Sequence, residues 1–249
     1  FRGFRAPFLS LRKIVDRGLR SGLQYKQLMP GDCLLLTQTP IFFAWFVYNL
    51  MSKSSDRVFV FLEIFSQEGG IQSYIKDVLQ AYHSLPNLAQ TDIFLLRDAA
   101  DCGSPLQSEA ITYHYLKTSS PGLGRLKLTW SLAQVLLLSR PQHLYCGHIN
   151  LAPLVRLLCQ PLGIPYTVLT YGKEVWNPLP KGKKQALQQA DAIWTISRYS
   201  RDLLCQSNDI NPQKVEILPC VVDGNRFNIA PKPLDLVNKY QIEDAQVLM

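Results

Sequence analysis

A doubly wound α/β domain, with a parallel sheet covered on both faces, is what this sequence predicts. Three observations predict it. Short apolar runs of five to seven residues recur from residue 58 onward. Most are followed by segments with helical spacing of apolar residues. The chain is 47% hydrophobic over 249 residues, enough for a sizeable core and too apolar for disorder. Strands that alternate with helices in this way build βαβ units, whose helices cover the sheet.

The elements follow in order. VFVFL at 58–62 reads as a buried strand. GGIQSYIKDVLQAYHSL follows as a helix over 70–85, with Ile71, Tyr74, Ile75, Val78, Leu79 and Tyr82 at steps of three and four. A strand at 91–97 gives way to the turn-rich DAADCGSP, and a short strand follows at 111–116. SSPGLG breaks the chain before a helix over 124–139, with Leu126, Trp130, Ala133 and Leu137 on one face. Strand 142–146 leads into GHINLAP, and Pro161 and Gly163 stop helix 151–160. Strand 165–170 leads into YGKEVW. Helix 181–190, strand 191–196, helix 198–206 and strand 214–218 complete the series. No internal repeat is present. Asn228 to Pro233 has the composition of a linker, a short helix follows, and the final AQVLM reads as the opening of another strand.

Charge and cysteine narrow the function classes. The formal net charge is +7, but residues 1–50 hold seven Lys or Arg against two Asp or Glu. The rest is near balance, so a nucleic-acid groove in the core domain is not expected. The basic arm could instead touch anionic lipid. Residues 33–51 carry no charge, but Gln38 and Pro40 interrupt them, and a monotopic membrane-surface segment ranks above a transmembrane anchor. Met51 opens a polar lead into the first strand and is the expected natural start, which makes 1–50 an extension outside the core. The six cysteines have no CxxC spacing, so no zinc site is expected, and a reducing cytoplasmic setting fits them better than disulfides.

In a doubly wound sheet the ligand sits beyond the carboxyl ends of the strands. That rule selects the loops 63–70, 147–153, 171–177 and 197–199. Gly69-Gly70 admits two readings: close approach of an anion to a helix N-terminus, or a tight turn that needs positive φ. His148 either donates to a ligand or caps the next helix. Lys173 suits an anion, and Glu174 a sugar hydroxyl or Lys173 itself. Trp176 either stacks on a sugar or packs in the core. Ser197 is a natural N-cap. His83, His114 and His143 read as structural or surface residues.

Five motifs in this order, EGG at 68–70, Gly147-His148, TYGKEVW, ADAIWTISRYSRDLL and VEILPCVVDGNRF, resemble the N-terminal half of GT-B-fold retaining glycosyltransferases of family 4 (group 1). The resemblance covers about residues 57–249. Cys220 and Val221 stand where that family usually has Asn and Gly, and Tyr171-Gly172 where it usually has His-Gly. It implies that 51–228 form a Rossmann-like acceptor-binding domain, and that 229–249 are a linker and the start of a donor domain that would complete the enzyme in cis. The implied reaction is retaining transfer of a hexosyl group from a nucleoside-diphosphate sugar to an acceptor hydroxyl, without metal or other cofactor. The implied acceptor is a glycan or lipid-linked molecule of bacterial polysaccharide or cell-surface glycan synthesis. This half alone is expected to be inactive. Gly69 and Gly70 match the loop near the donor phosphate, and His148 loosely matches a catalytic cleft histidine. Gln72, Tyr171, Gly172, Lys173, Glu174 and Arg198 become candidates for acceptor or sugar contact. Asp223 is expected to serve a turn or hinge. The implied location is cytoplasmic, with peripheral contact on the inner face of the membrane.

The alternatives are specific. An NAD-dependent oxidoreductase should show GxGxxG after the first strand, and SQEGGIQS lacks that spacing. A GT-B sugar-nucleotide epimerase should carry more inner-loop carboxylates than Glu63, Glu68 and Glu174. A non-catalytic membrane-surface or partner-binding module remains as the third reading.

Overall fold

A computed structural model describes residues 55–102, 106–222, 224, 231–243 and 245. The expected extension at 1–50, the Met51 start, Asp223 and the closing strand fall outside the described residues. Seven strands form one sheet in the order β3-β2-β1-β4-β5-β6-β7, and every pairing is parallel. The strands are β1 (Arg57–Phe61), β2 (Thr91–Leu95), β3 (Ile111–Tyr115), β4 (His143–Cys146), β5 (Tyr166–Thr170), β6 (Ala192–Thr195) and β7 (Val215–Ile217). Between them run α1 (Gly70–His83), α2 (Pro121–Leu138), α3 (Ala152–Cys159), the single turn α4 (Lys173–Trp176), α5 (Lys181–Gln188) and α6 (Arg198–Asn208); α7 (Leu234–Tyr240) follows β7.

Period-two alternation splits the core between the two faces of the sheet. In β1, Val58 and Val60 join Leu128, Leu132 and Leu136 of α2, Val155 and Cys159 of α3, Ala186 and Leu187 of α5, and Leu204 of α6. Phe59 and Phe61 join Tyr74, Ile75 and Leu79 of α1 on the opposite side. β2 and β5 are buried along their whole length and β1 along all but its first residue, so their apolar residues run together, whereas β4 and β6 alternate half-buried with buried residues.

The apolar stripe marked by spacing on α2 is not the one that packs. The face of α2 that carries Leu126, Trp130, Ala133 and Leu137 does not meet the sheet. Gly124, Leu128, Leu132 and Leu136 do. The helix is apolar on nearly every side, so spacing alone does not choose a face. Gly124 helps to choose it: a Cβ there would stand 3.0 Å from Thr118 Oγ1 and 3.5 Å from Leu96 Cδ1, so a side chain would crowd that contact.

Strand order fixes where a ligand can sit. β1 connects outward to β2 and β3, whereas β4 lies on the other side of β1 and leads to β5, β6 and β7. The crevice between the carboxyl ends of β1 and β4 is therefore the topological switch point.

Candidate functional site

The loops after β1 and β4 flank that switch point, and the loops after β5 and β6 continue the same edge. The β1 loop is held from below. Asp98, fully buried just past β2, accepts the Ile64 and Phe65 amides on one oxygen at 2.7 and 3.1 Å and the Ser66 amide on the other at 2.9 Å. These bonds orient the segment that delivers Gly69 and Gly70 to the start of α1. Glu63 at the loop's root lies 3.4 Å from Arg97.

The two readings of Gly69-Gly70 now separate. Gly69 has φ 178° and ψ 170°, an extended conformation open to any residue, so no positive φ requires glycine there. Gly163 is the one glycine with positive φ among the described residues. A Cβ on Gly70 would meet nothing within 4 Å, and one on Gly69 would meet only the end of Gln72. Both glycines are exposed, and no side chain caps α1. What the pair provides is open space before the unpaired amides of a helix N-terminus.

The β4 loop is built around a close approach. Gly147 packs against Phe61 so tightly that a Cβ would lie 2.0 Å from Cδ1 of that ring. Its amide donates to Val60 O at 2.8 Å, carrying the β1–β4 pairing one step further. Its carbonyl accepts the Tyr171 hydroxyl at 2.6 Å, which joins this loop to the one after β5. Tyr171 meets Tyr74 of α1 edge-on at 5.8 Å, and the Tyr74 hydroxyl donates to Leu218 O at 2.8 Å beyond β7. Two tyrosines thus link α1 to the loops after β4, β5 and β7. Burial holds the Tyr171 phenol well above its ordinary pKa, so it stays a donor across the working range.

His148 is half-buried and begins the turn into α3. The Asn150 amide donates to its Nδ1 at 3.0 Å, which leaves Nε2 to carry the proton of the neutral ring. Desolvation lowers its pKa, and Lys183 and Arg97 add to that, against Glu174 and Glu63. Those four charges come from the loops after β1 and β2 and from α4 and α5, so the imidazole stands where these elements converge. His148 therefore both caps its own turn and presents a neutral ring. A group that resists protonation only when folded stabilises the fold above the ordinary value near pH 6.5. That contribution is lost as pH falls through the lowered folded value. Titration of the ring by NMR is expected to give a midpoint below 6.5; a midpoint at or above it would contradict the burial.

The remaining candidates divide. Tyr171 is buried, with its hydroxyl engaged by Gly147. Glu174 turns its carboxylate to the Tyr171 and Gly172 amides, so it shapes its own loop. Trp176 packs: its indole N–H donates to Ser200 Oγ at 3.3 Å and its ring meets Tyr199 edge-on. Ser197 caps α6 by accepting the Ser200 amide at 3.1 Å. Lys173 and Arg198 are exposed at the same edge of the sheet, and Gln72 is half-buried in the first turn of α1. His114, on the edge strand β3, binds Asp92 at 2.7 Å and stacks on Phe94, and His143, at the amino end of β4, binds Thr167 at 2.8 Å. Asp98 was not singled out by the sequence, and Tyr74 was read only as an apolar position of its helix. An acidic residue straight after a strand was the available signal for Asp98.

The family model of the glycosyl transferase 4-like domain matches residues 69–220, more than half of the chain. The chain belongs to this family. The chain also resembles solved GT-B structures. HepE from Anabaena in complex with UDP-glucose aligns with a TM-score of 0.55 at 14% identity, over 76% of this chain and 50% of that one. UGT89C1 from Arabidopsis thaliana, complexed with UDP-L-rhamnose, aligns with a TM-score of 0.50 at 10% identity, over 78% and 56%. At such identities the likeness shows the fold. The chain spans about half the length of these proteins. No curated protein matches it.

Proposed function

We propose that this glycosyltransferase domain is the acceptor-binding half of a retaining enzyme that moves a hexosyl group from a nucleoside-diphosphate sugar to an acceptor hydroxyl. A donor-binding domain in cis would complete it. The observation that carries the reading is the opening at the switch point: an uncapped helix N-terminus behind Gly69-Gly70 on one side, and His148 on the other. Helix amides suit the diphosphate, whose negative charge grows as the glycosidic bond breaks. Lys173 and Arg198 add positive charge along the same edge. A neutral His148 can donate Nε2–H to a sugar hydroxyl. Catalysis in such a site is positioning and electrostatic stabilisation, and this chain's own residues need no metal for either role. The bound UDP-sugars of HepE and UGT89C1 support a donor of this class. A glycan or lipid-linked acceptor in bacterial polysaccharide or cell-surface glycan synthesis is the finer part of the proposal.

Gly70→Val in the complete enzyme tests it. The open space around Gly70 accommodates the side chain, so the unfolding transition is expected to stay within experimental error of wild type. Transfer from UDP-glucose, taken as the first donor probe, is expected to fall at least about a hundredfold, the scale of losing oriented amides at a developing anion. Full activity in that variant would sink the assignment of this loop to the donor phosphate. The anomeric configuration of the product, read by NMR, decides retention.

A further inference from the structure

The outward face of α2 has no partner among the described residues. Leu123, Leu126, Trp130 and Leu137 are 58, 66, 67 and 48% exposed. At 3.6 residues per turn they fall within an arc of about 60°, opposite Gly124, Leu128, Leu132 and Leu136, and run along about 20 Å of helix. Exposed apolar stripes of this extent mark contact surfaces. Charge says what the contact is. Lys117, Arg125, Lys127 and Arg140 lie on or beside the helix, all exposed, and residues 117–140 contain no Asp or Glu.

We propose that α2 is a docking surface for an anionic lipid membrane, lying in the plane of the interface with Trp130 near its middle. A Trp- and Leu-bearing face bordered by Lys127, with further cations elsewhere around and beside the helix and no acids, is the combination that enters the boundary between headgroups and acyl chains. A second copy of this helix would bring cations onto cations; the basic part of the chain's own N-terminal segment (residues 2–26) would do the same, and its uncharged part (33–50) would cover the stripe but leave the cations around it unmatched. An anionic surface matches both the charge and the apolar stripe. Topology gives the docking a direction. α2 starts after the carboxyl end of β3, so Leu123, Arg125, Leu126 and Lys127 sit towards the edge that carries the candidate site. Among the described residues no helix is long and apolar enough to cross a membrane, and this mode of contact needs none. The inference does not depend on the transfer reaction.

Co-sedimentation of the full chain with vesicles tests it, using phosphatidylcholine alone and an equimolar mixture with phosphatidylglycerol. Binding is expected to the anionic vesicles only and to weaken with added salt. R125E/K127E should lower the partition coefficient by roughly thirtyfold or more, from the worth of two juxtamembrane cations. L126S/W130S should also lower it, with an unchanged circular dichroism spectrum because both side chains are exposed. Brominated lipid should quench wild type more strongly than Trp130→Phe. Wild type that stays in the supernatant overturns the proposal. So does undiminished binding by the variant with all four substitutions, which would place the contact elsewhere on the chain. A lipid-free dimer that L126S/W130S dissociates would overturn it in favour of a second copy.

Discussion

Replacing Asp98 by alanine is expected to destabilise the domain by about 4 kcal/mol, the combined cost of three backbone amides losing their acceptor, each worth about 1–3 kcal/mol when buried. The carboxylate is fully buried, and its two oxygens serve Ile64, Phe65 and Ser66 together. Asp98→Asn separates charge from shape. The amide keeps one acceptor oxygen but turns an N–H₂ towards an N–H, so about 2–3 kcal/mol should still be lost. Urea unfolding measures both, and hydrogen exchange at residues 64–66 shows whether the loop opens first. An Asn variant as stable as wild type, with those amides still protected, would mean that the carboxylate does not hold the loop.

The second large effect is at Gly147. Adding one methyl group places a carbon 2.0 Å from Cδ1 and 2.4 Å from Cε1 of Phe61, a ring that is itself fully buried and has nowhere to swing. Overpacking of a tight core costs about 1–3 kcal/mol and sometimes more. Gly147→Ala should lie at the upper end, about 3 kcal/mol, because the neighbouring carbonyl is also tied to Tyr171. The clash has a signature beyond its size. Phe61→Leu frees space at the point of collision, so the double variant should lose less stability than the sum of the two single changes. Strict additivity would show that the methyl group is accommodated by backbone movement rather than resisted by the ring.

The two residues differ in how far the sequence announces them. Gly147 follows a short apolar run and precedes a histidine, which marks it as the start of a loop at a strand end. Much of the strand series was readable for a related reason: β1, β2 and β5, buried on both faces, are written as near-continuous apolar runs, β4 and β6 keep an apolar residue at every second position, and most helices between strands are long enough to show period. Asp98 is different. Its partners are backbone amides more than thirty residues earlier, and an amide leaves no trace in residue type. The facing of α2 failed for a third reason. Apolar residues cover most of its circumference, so tertiary packing through Gly124 decided what periodicity left open. Within the candidate site, Ser197 as a cap and the glycine pair at a helix start were legible. Tyr171 and Glu174 were recognisably loop residues, but bonds to Gly147 and to their own backbone could be seen only once the strands stood side by side.

The tyrosine links across the sheet edge carry an entropic consequence. A loop that must order itself around a ligand subtracts that ordering from the affinity. Here Tyr74 and Tyr171 fasten α1 to the backbone after β4, β5 and β7 within the domain's own hydrogen bonding and packing. The mouth is ordered when the chain folds, so a ligand arriving there meets a surface whose freedom has already been surrendered. Affinity in such a place is governed by the fit of the incoming molecule, and little of its binding free energy is diverted to quieting the protein.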